Sequence, residues 1–362
     1  MHRLELLFRR AERVEVLVGP GAWEALPDLW RPAWREAALV GDAQVLARFG
    51  ARLEALLRPR VARLLPLEFP PGEAHKTRDT KARLEDALLE AGLDRGGVVV
   101  AAGGGLSLDV AGFLAATYQR GLPWIALPTT LLACVDAALG GKVAVNTPRG
   151  KNLVGAFHQP SLVLVEPAAC ASQPPEGWRD GLAELVKHAL VADAALFARL
   201  EAEAESLAVP GALDAELLGR ALAIKAEVVQ ADEREDDRRM VLNLGHTVAH
   251  AVEAHTAHAW SHGRAVAFGL RVELRLAARR VGFPAEDCAR VDRLLARLGF
   301  PAEAPGPARE VLAWAAADKK RRGGALRLAL PAAPGRMARE ADRFGLEVLP
   351  GELEAAWAAT CA

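Results

Sequence analysis

The chain has 362 residues, a length that suits two domains, and 51% of them are apolar, enough for large buried cores. A net charge of −1 gives no electrostatic case for a nucleic-acid partner. No apolar run reaches the ~20 residues of a membrane span, and the opening MHRLELLFRRAERVEV lacks the apolar centre of a signal peptide, so a cytoplasmic protein with no membrane partner is expected.

The first half alternates short apolar runs with helical stretches. Strands are predicted at 14–18, 38–40, 64–69, 98–102, 124–127 and 162–165. Turn or polar residues close them: Gly41-Asp42, Gly103-Gly104-Gly105, Pro128-Thr129-Thr130 and Glu166-Pro167. The alternation predicts a Rossmann-like α/β domain with a mainly parallel sheet over 1–171, binding ligands outside the carboxyl ends of its strands. After Pro174-Pro175 the apolar spacing becomes i, i+3, i+4, i+7. Helices are predicted over 181–204, 212–231, 242–257, 263–281 and 284–298, with a small strand at 326–330. The second half reads as an all-α domain over 172–362, facing the first across a cleft, where ligand sites concentrate.

Several patterns carry chemistry. The run 98–105 is an apolar strand entering a glycine-rich turn, but the third position of GxGxxG is Leu108, so the segment alone reads equally well as a tight turn. Asp42, at a strand end, has the chemistry to accept ribose hydroxyls, and Glu73 and Lys76 follow another strand. Each of these also reads as part of a solvated loop. Gly141-Lys142 lacks the spacing of a Walker loop. The four cysteines, Cys134, Cys170, Cys288 and Cys361, form no CxxC pair and read as reduced thiols, not metal ligands.

Of 45 basic residues only eight are lysine, and only three asparagines occur. A GC-rich genome or a warm habitat accounts for the bias. Where arginine serves for surface charge, a retained lysine is one needed as lysine. Lys142, Lys151, Asn146 and Asn152 all fall in the glycine-containing run 135–160, a composition that suits a phosphate or polyhydroxy ligand. Five of nine histidines lie between 246 and 262, and His246 and His250 share a helix face. Spacing alone does not choose metal ligands among them. Glu184 offers a carboxylate, or an ordinary i+3 pair with Lys187 on an exposed helix.

The segments GGGLSLDVAGFLAATYQRG, PTTLLACVDAALGGKVAVNTPRGKNLVGAFHQP, GLAELVKHAL, IKAEVVQADERED, LNLGHTVAHAVE and SHGRAVAFG resemble, in order and over nearly the whole chain, the 3-dehydroquinate synthase family of sugar phosphate cyclases. The resemblance implies a dehydroquinate synthase-like fold in which Glu184, His246 and His262 bind zinc or cobalt. It places Asp42, Glu73, Lys76, Gly104, Gly105, Asp109, Thr129, Thr130, Lys142, Lys151 and Ser172 along NAD. Asp136, Lys142, Lys187, Lys225, Glu235, Arg239, Asn243 and His250 would surround the substrate. Lys142, Asn152, His250 and Lys320 (or Lys319) would hold its phosphate, and Arg120 would reach the phosphate of a neighbouring subunit in a homodimer.

The implied reaction is that of a phosphate-eliminating lyase of the shikimate pathway. It turns 3-deoxy-D-arabino-heptulosonate 7-phosphate into 3-dehydroquinate through transient oxidation by NAD, phosphate loss, reduction and aldol closure. Leu108, Ala137, Ala138, Val143 and Ala249 depart from the family pattern and are expected to alter local hydrogen bonding. Other outcomes on the same fold are a 2-deoxy-scyllo-inosose or valiolone-type cyclase, or a metal-dependent polyol or glycerol-phosphate dehydrogenase.

Overall fold

The computed structural model describes residues 12–322 and 326–361, with side chains described outside 316–322 and residue 350. Eight strands occupy the first half: β1 (Glu15–Val18), β2 (Glu36–Asp42), β3 (Arg63–Phe69), β4 (Gly97–Gly103), β5 (Trp124–Pro128), β6 (Lys142–Thr147), β7 (Gly150–Phe157) and β8 (Leu162–Val165). Helices α1 (Leu26–Leu29), α2 (Ala43–Leu57), α3 (Arg78–Glu90), α4 (Gly105–Thr117) and α5 (Pro167–Cys170) lie among them. All six predicted strands are present, and they form one sheet of order β1-β8-β5-β4-β2-β3 with every pairing parallel.

Alternate residues of each strand enter different cores. Ala38, Val40, Val99 and Ala101 face one, while Leu39, Val98 and Val100 face the other beside Trp23 and Trp34. Coverage on both faces is why these strands are near-continuous apolar runs in the sequence. The chain leaves β2 toward the edge strand β3 but leaves β4 the other way, toward β5. The carboxyl ends of β2 and β4 therefore flank a topological switch point, where open α/β sheets bind ligands. A cleft of about 690 Å³ opens there, lined by Asp42, Gly104, Thr129, Thr130 and Ser172 among others.

The departures from the family pattern fall on the core side. Leu108 is buried within α4, so the missing third glycine is a matter of helix packing, not of the helix end that faces the cleft. Val143 and Ala138 are likewise buried in the apolar core. The polar run 135–160 is not a loop: β6 and β7 pair as an antiparallel hairpin that packs on α4.

The second half is helical: α6 (Pro175–Ala192), α7 (Ala194–Ala202), α8 (Ala204–Leu207), α9 (Ala215–Ala231), α10 (His246–His255), α11 (His262–Arg280), α12 (Ala285–Arg297), α13 (Ala308–Arg322) and α14 (Pro350–Cys361). Between the last two, β9 (Arg327–Ala329) pairs with β12 (Gly345–Glu347), and β10 (Pro331–Ala333) with β11 (Arg336–Met337). No described helix is long and apolar enough to cross a membrane. Cys134 and Cys170, distant in sequence, meet in the core with their sulfurs 3.0 Å apart.

The helix predicted over 181–204 is broken at Asp193. Its Oδ1 accepts the Leu196 N–H at 2.8 Å and starts α7, and both oxygens take the Arg220 guanidinium at 2.7 and 2.8 Å. Burial pushes this carboxyl up, but those donors more than offset it and hold the pKa below the usual value of 3.8. A depressed carboxylate stabilises the fold above its ordinary pKa and loses that contribution as pH falls. Asp193→Ala is expected to cost about 1–2 kcal/mol at neutral pH, read as a lower urea midpoint at unchanged slope. The gap to the parent protein should close as pH drops below about 4.

Candidate active site

Three helices of the second half converge on one carboxylate. Glu184 of α6 is fully buried, and His246 and His262 are the first residues of α10 and α11. Glu184 Oε1 lies 3.3 Å from His246 Nε2 and 3.1 Å from His262 Nε2. The opposite ring nitrogens are also held. His246 Nδ1 faces the Leu244 carbonyl at 3.2 Å, and His262 Nδ1 faces Glu253 Oε1 at 3.2 Å. In the tautomer with the proton on Nδ1, each Nε2 is free to ligate a cation beside Glu184 Oε1. A carboxylate and two imidazoles oriented from behind fit a divalent cation such as zinc or cobalt.

The electrostatics agree. Burial alone would lower the His262 pKa, yet Glu184 and Glu253 raise it to about 10, so these carboxylates draw positive charge to this point. Burial pushes Glu184 up, but Lys187 and His246 more than offset it and hold the carboxyl well below its usual range. The Lys187 ammonium pairs with Oε2, on the side away from the imidazoles. The Lys187 pair takes one oxygen and leaves the other facing the imidazoles, and the helix face is interior, not exposed.

A second polar cluster adjoins the first. Asp136 lies in a π-helical turn, Ala133–Ala137, and Lys225 Nζ donates to its Oδ1 at 2.7 Å and to its carbonyl oxygen. Burial opposes ionisation of Asp136, yet Lys225 and Lys187 prevail and lower its pKa. His188 is fully buried, with Nε2 3.9 Å from Asp136 Oδ1 and neither ring nitrogen hydrogen-bonded among the described residues. Burial and Lys187 hold it neutral, with a pKa of about 3. Asp136, Glu184 and His188 are close enough to bind a cation. Two buried ammonium groups already neutralise that corner and would repel a second ion.

Further out, Lys142 pairs with Glu235, whose other oxygen accepts the Asn243 amide. Arg239 is buried and donates to the carbonyls of Glu233 and of Gly140, the latter at 3.0 Å. The His250 ring packs edge-on against His246, with centroids 5.5 Å apart.

The nucleotide side is equally ordered. Asp42 Oδ1 caps α2 by accepting the Gln44 and Val45 N–H groups at 3.1 Å, and its Oδ2 accepts the Ser107 hydroxyl at 3.0 Å. Gly104 and Gly105 form the start of α4. The Thr129 N–H donates to the Gly103 carbonyl at 2.9 Å, Thr130 Oγ1 accepts from Ala133, and the Ser172 hydroxyl donates to Ala169. Buried Lys76 donates to Asp109 at 2.5 Å and to Asn152 at 2.6 Å, and Asn146 donates to Glu73 at 2.7 Å. Burial outweighs Lys76 and raises the Asp109 pKa to about 6. Lys151 reaches His258 Nδ1 at 3.3 Å, across to the helical half.

Not every expected residue joins these groups. Asn152, expected at the substrate phosphate, bonds Lys76 on the nucleotide side. Arg120 is exposed beyond the far end of α4, about 20 Å from the glycine turn. The Lys320 side chain lies outside the described residues. Sequence reasoning missed Glu253 and His188. Nothing in spacing marked Glu253 as the group behind His262, and nothing set His188 apart within the helix predicted over 181–204.

Glu253→Gln is expected to let the His262 ring turn and to weaken zinc retention by roughly ten- to a hundredfold, as loss of a group behind a ligand histidine does. Competition against a chelator measures this, and unchanged retention would remove Glu253 from the site.

The family profile for the 3-dehydroquinate synthase N-terminal region matches residues 66–180, and that for the C-terminal region matches 181–321. A 3-dehydroquinate synthase of Bordetella pertussis (strain Tohama I) is 43% identical over 318 residues, covering 86% of this chain and 88% of its own. One from Aeropyrum pernix is 44% identical over 322 residues, covering 88% of each. Among solved structures, 2-epi-5-epi-valiolone synthase from Streptomyces hygroscopicus subsp. jinggangensis 5008, with NAD+ and Zn2+ bound, superposes with a TM-score of 0.86 at 29% identity over 99% of both chains. An iron-containing alcohol dehydrogenase from Thermococcus thioreducens, at 17% identity and a TM-score of 0.65 over 98% of this chain and 99% of its own, shares the fold alone. Profiles spanning both halves, and relatives above 40% identity over most of their length, place the chain in the 3-dehydroquinate synthase family.

Proposed function

We propose that the chain converts 3-deoxy-D-arabino-heptulosonate 7-phosphate into 3-dehydroquinate and inorganic phosphate, as a cytosolic enzyme of the shikimate pathway. One observation carries this reading. The Glu184–His246–His262 trio stands against two buried lysines, Lys187 and Lys225, in a fold whose sheet opens a nucleotide cleft at its switch point. A dehydrogenase needs the cleft and a metal. Buried ammonium groups beside the metal ligands suit a substrate that develops oxyanion charge and sheds phosphate.

Glu184, His246 and His262 would hold zinc or cobalt. NAD would lie along Asp42, Glu73, Lys76, Gly104, Gly105, Asp109, Thr129, Thr130, Lys142, Lys151 and Ser172. When bound, the metal supplies Lewis acidity and NAD supplies reversible hydride acceptance. The chain's own groups do the rest. Lys187, Lys225 and Arg239 counter oxyanion charge, and Asp136 fixes the Lys225 ammonium. Glu235 and Asn243 set the position of Lys142. Lys142 and His250 would hold the phosphate, and Asn152 would have to leave Lys76 to join them. Arg120, remote from its own site, would complete that of a second copy in a homodimer.

The structural likeness to a valiolone synthase keeps a second cyclase reading in play. Substrate choice separates them. Phosphate release from the heptulosonate phosphate is expected without net change in absorbance at 340 nm. Accumulating NADH would mark a dehydrogenase, and release only from sugar phosphates lacking the carboxylate would mark another cyclase. His262→Ala is expected to lose stoichiometric metal and turnover together; near-normal turnover with bound metal would defeat the assignment. Light scattering should give twice the 38.5 kDa chain mass. Arg120→Ala should keep that mass while raising KM.

A further inference from the structure

The two histidines that face Glu184 share an unusual placement. Each begins a helix, and each of those helix starts abuts the side of another helix. Gly245 (φ 81°) precedes His246 and lies against α11 at Gly269. A Cβ on Gly269 would fall 2.0 Å from the Gly245 carbonyl oxygen, so only glycine permits the approach. One turn further along α11 comes Glu273. Its Oε2 accepts the Gly245 N–H at 2.7 Å and its Oε1 the Val248 N–H at 3.5 Å.

The second start repeats the scheme. Gly263 follows His262 and lies against α6, where a Cβ would fall 2.3 Å from the Asp180 Cα. Asp180 Oδ1 accepts the Gly263 N–H at 2.7 Å, and Asp180 stands one turn before Glu184 on the same helix. Each ligand histidine thus has a glycine neighbour, and each helix start is received by a carboxylate on the helix it meets.

Helix starts leave N–H groups unpaired, and a serine, threonine or aspartate just before the helix usually takes one. Ser261 does so for α11, accepting from the Arg264 N–H. Helix α10 has no such local cap, because the residue before it is Gly245. Glu273 serves instead, from another helix. The carboxyl is fully buried, and burial raises its pKa to about 8 against only backbone donors, from Gly245, Val248 and Thr247. A buried carboxyl without a cation partner is costly, and an apolar residue would pack more cheaply there. Simple core filling does not account for it.

We propose that Glu273 is a positioning residue for the metal centre: by receiving the start of α10 it aims His246 Nε2 at Glu184, as Asp180 does for α11 and His262. The inference rests on Glu184, His246 and His262 being metal ligands.

The test uses the full chain loaded with cobalt(II), with Glu273→Gln and Glu273→Met beside the parent. The amide keeps one acceptor and the thioether has none to match it. Cobalt affinity by chelator competition is expected to fall about tenfold in Glu273→Gln and nearer a hundredfold in Glu273→Met, the range seen for groups that orient metal ligands. The visible cobalt spectrum should change in both, while NAD affinity stays at the parent value. An unchanged cobalt spectrum and affinity in folded Glu273→Met would overturn the proposal. So would parallel loss of cobalt affinity, NAD affinity and thermal midpoint in Glu273→Gln, which would mark a merely structural role. If Glu273→Met does not fold, Glu273→Gln decides alone, and parent-like cobalt binding there overturns the proposal. A parent protein that takes up no cobalt would defeat the metal reading itself, a result distinct from these.

Discussion

A carboxylate cannot stay ionised in a protein interior without positive charge or strong donors brought to it. Glu184 has no exposed surface and stays ionised nonetheless, and the helical half is arranged to meet that requirement. Lys187 approaches from its own helix, while His246 and His262 come from the starts of two others. Helix starts carry partial positive charge as well as the side chains they present. Close packing at Gly245, Gly263 and Gly269 lets those starts approach. The charge demanded by one buried group thus fixes where three helices cross.

The same electrostatic need orders the neighbouring corner. Lys187 and Lys225 answer Glu184 and Asp136 and leave His188 neutral between them. The result is a graded surface. A cation suits the face bounded by two imidazoles, and an anion suits the face bounded by two ammonium groups. Glu184 is shared between the two faces, with Oε1 toward the imidazoles and Oε2 toward Lys187.

Much of this was legible in the sequence, and for identifiable reasons. The four inner sheet strands, β8, β5, β4 and β2, are buried on both faces, so they announce themselves as apolar runs. The scarcity of lysine marked all eight alike. Lys76, Lys187 and Lys225 are buried among carboxyl or carbonyl groups. Lys81, marked equally, is also buried, but it pairs with Glu85 and lies over the Phe113 ring at 4.8 Å. The break at Asp193 was hidden because apolar periodicity continues across it while a local cap ends one helix and starts the next. The β6–β7 hairpin was hidden because β7 exposes most of its residues and alternates poorly. Glu253, Asp180 and Glu273 act across helix crossings, and no spacing along the chain encodes a crossing.

The hairpin has a mechanical consequence. Asn146 and Asn152 fasten it to Glu73 and Lys76 of the sheet half, while Lys142 and Lys151 fasten it to Glu235 and His258 of the helical half. Two paired strands are stiff along their length, so the hairpin behaves as a strut pinned at four points. Any rocking of the halves against each other would break contacts on one side or carry the hairpin along. Every pin is a residue also expected to face cofactor or substrate, or its direct partner. The side chains expected to meet ligand are thus also the ones that join the two halves through the hairpin.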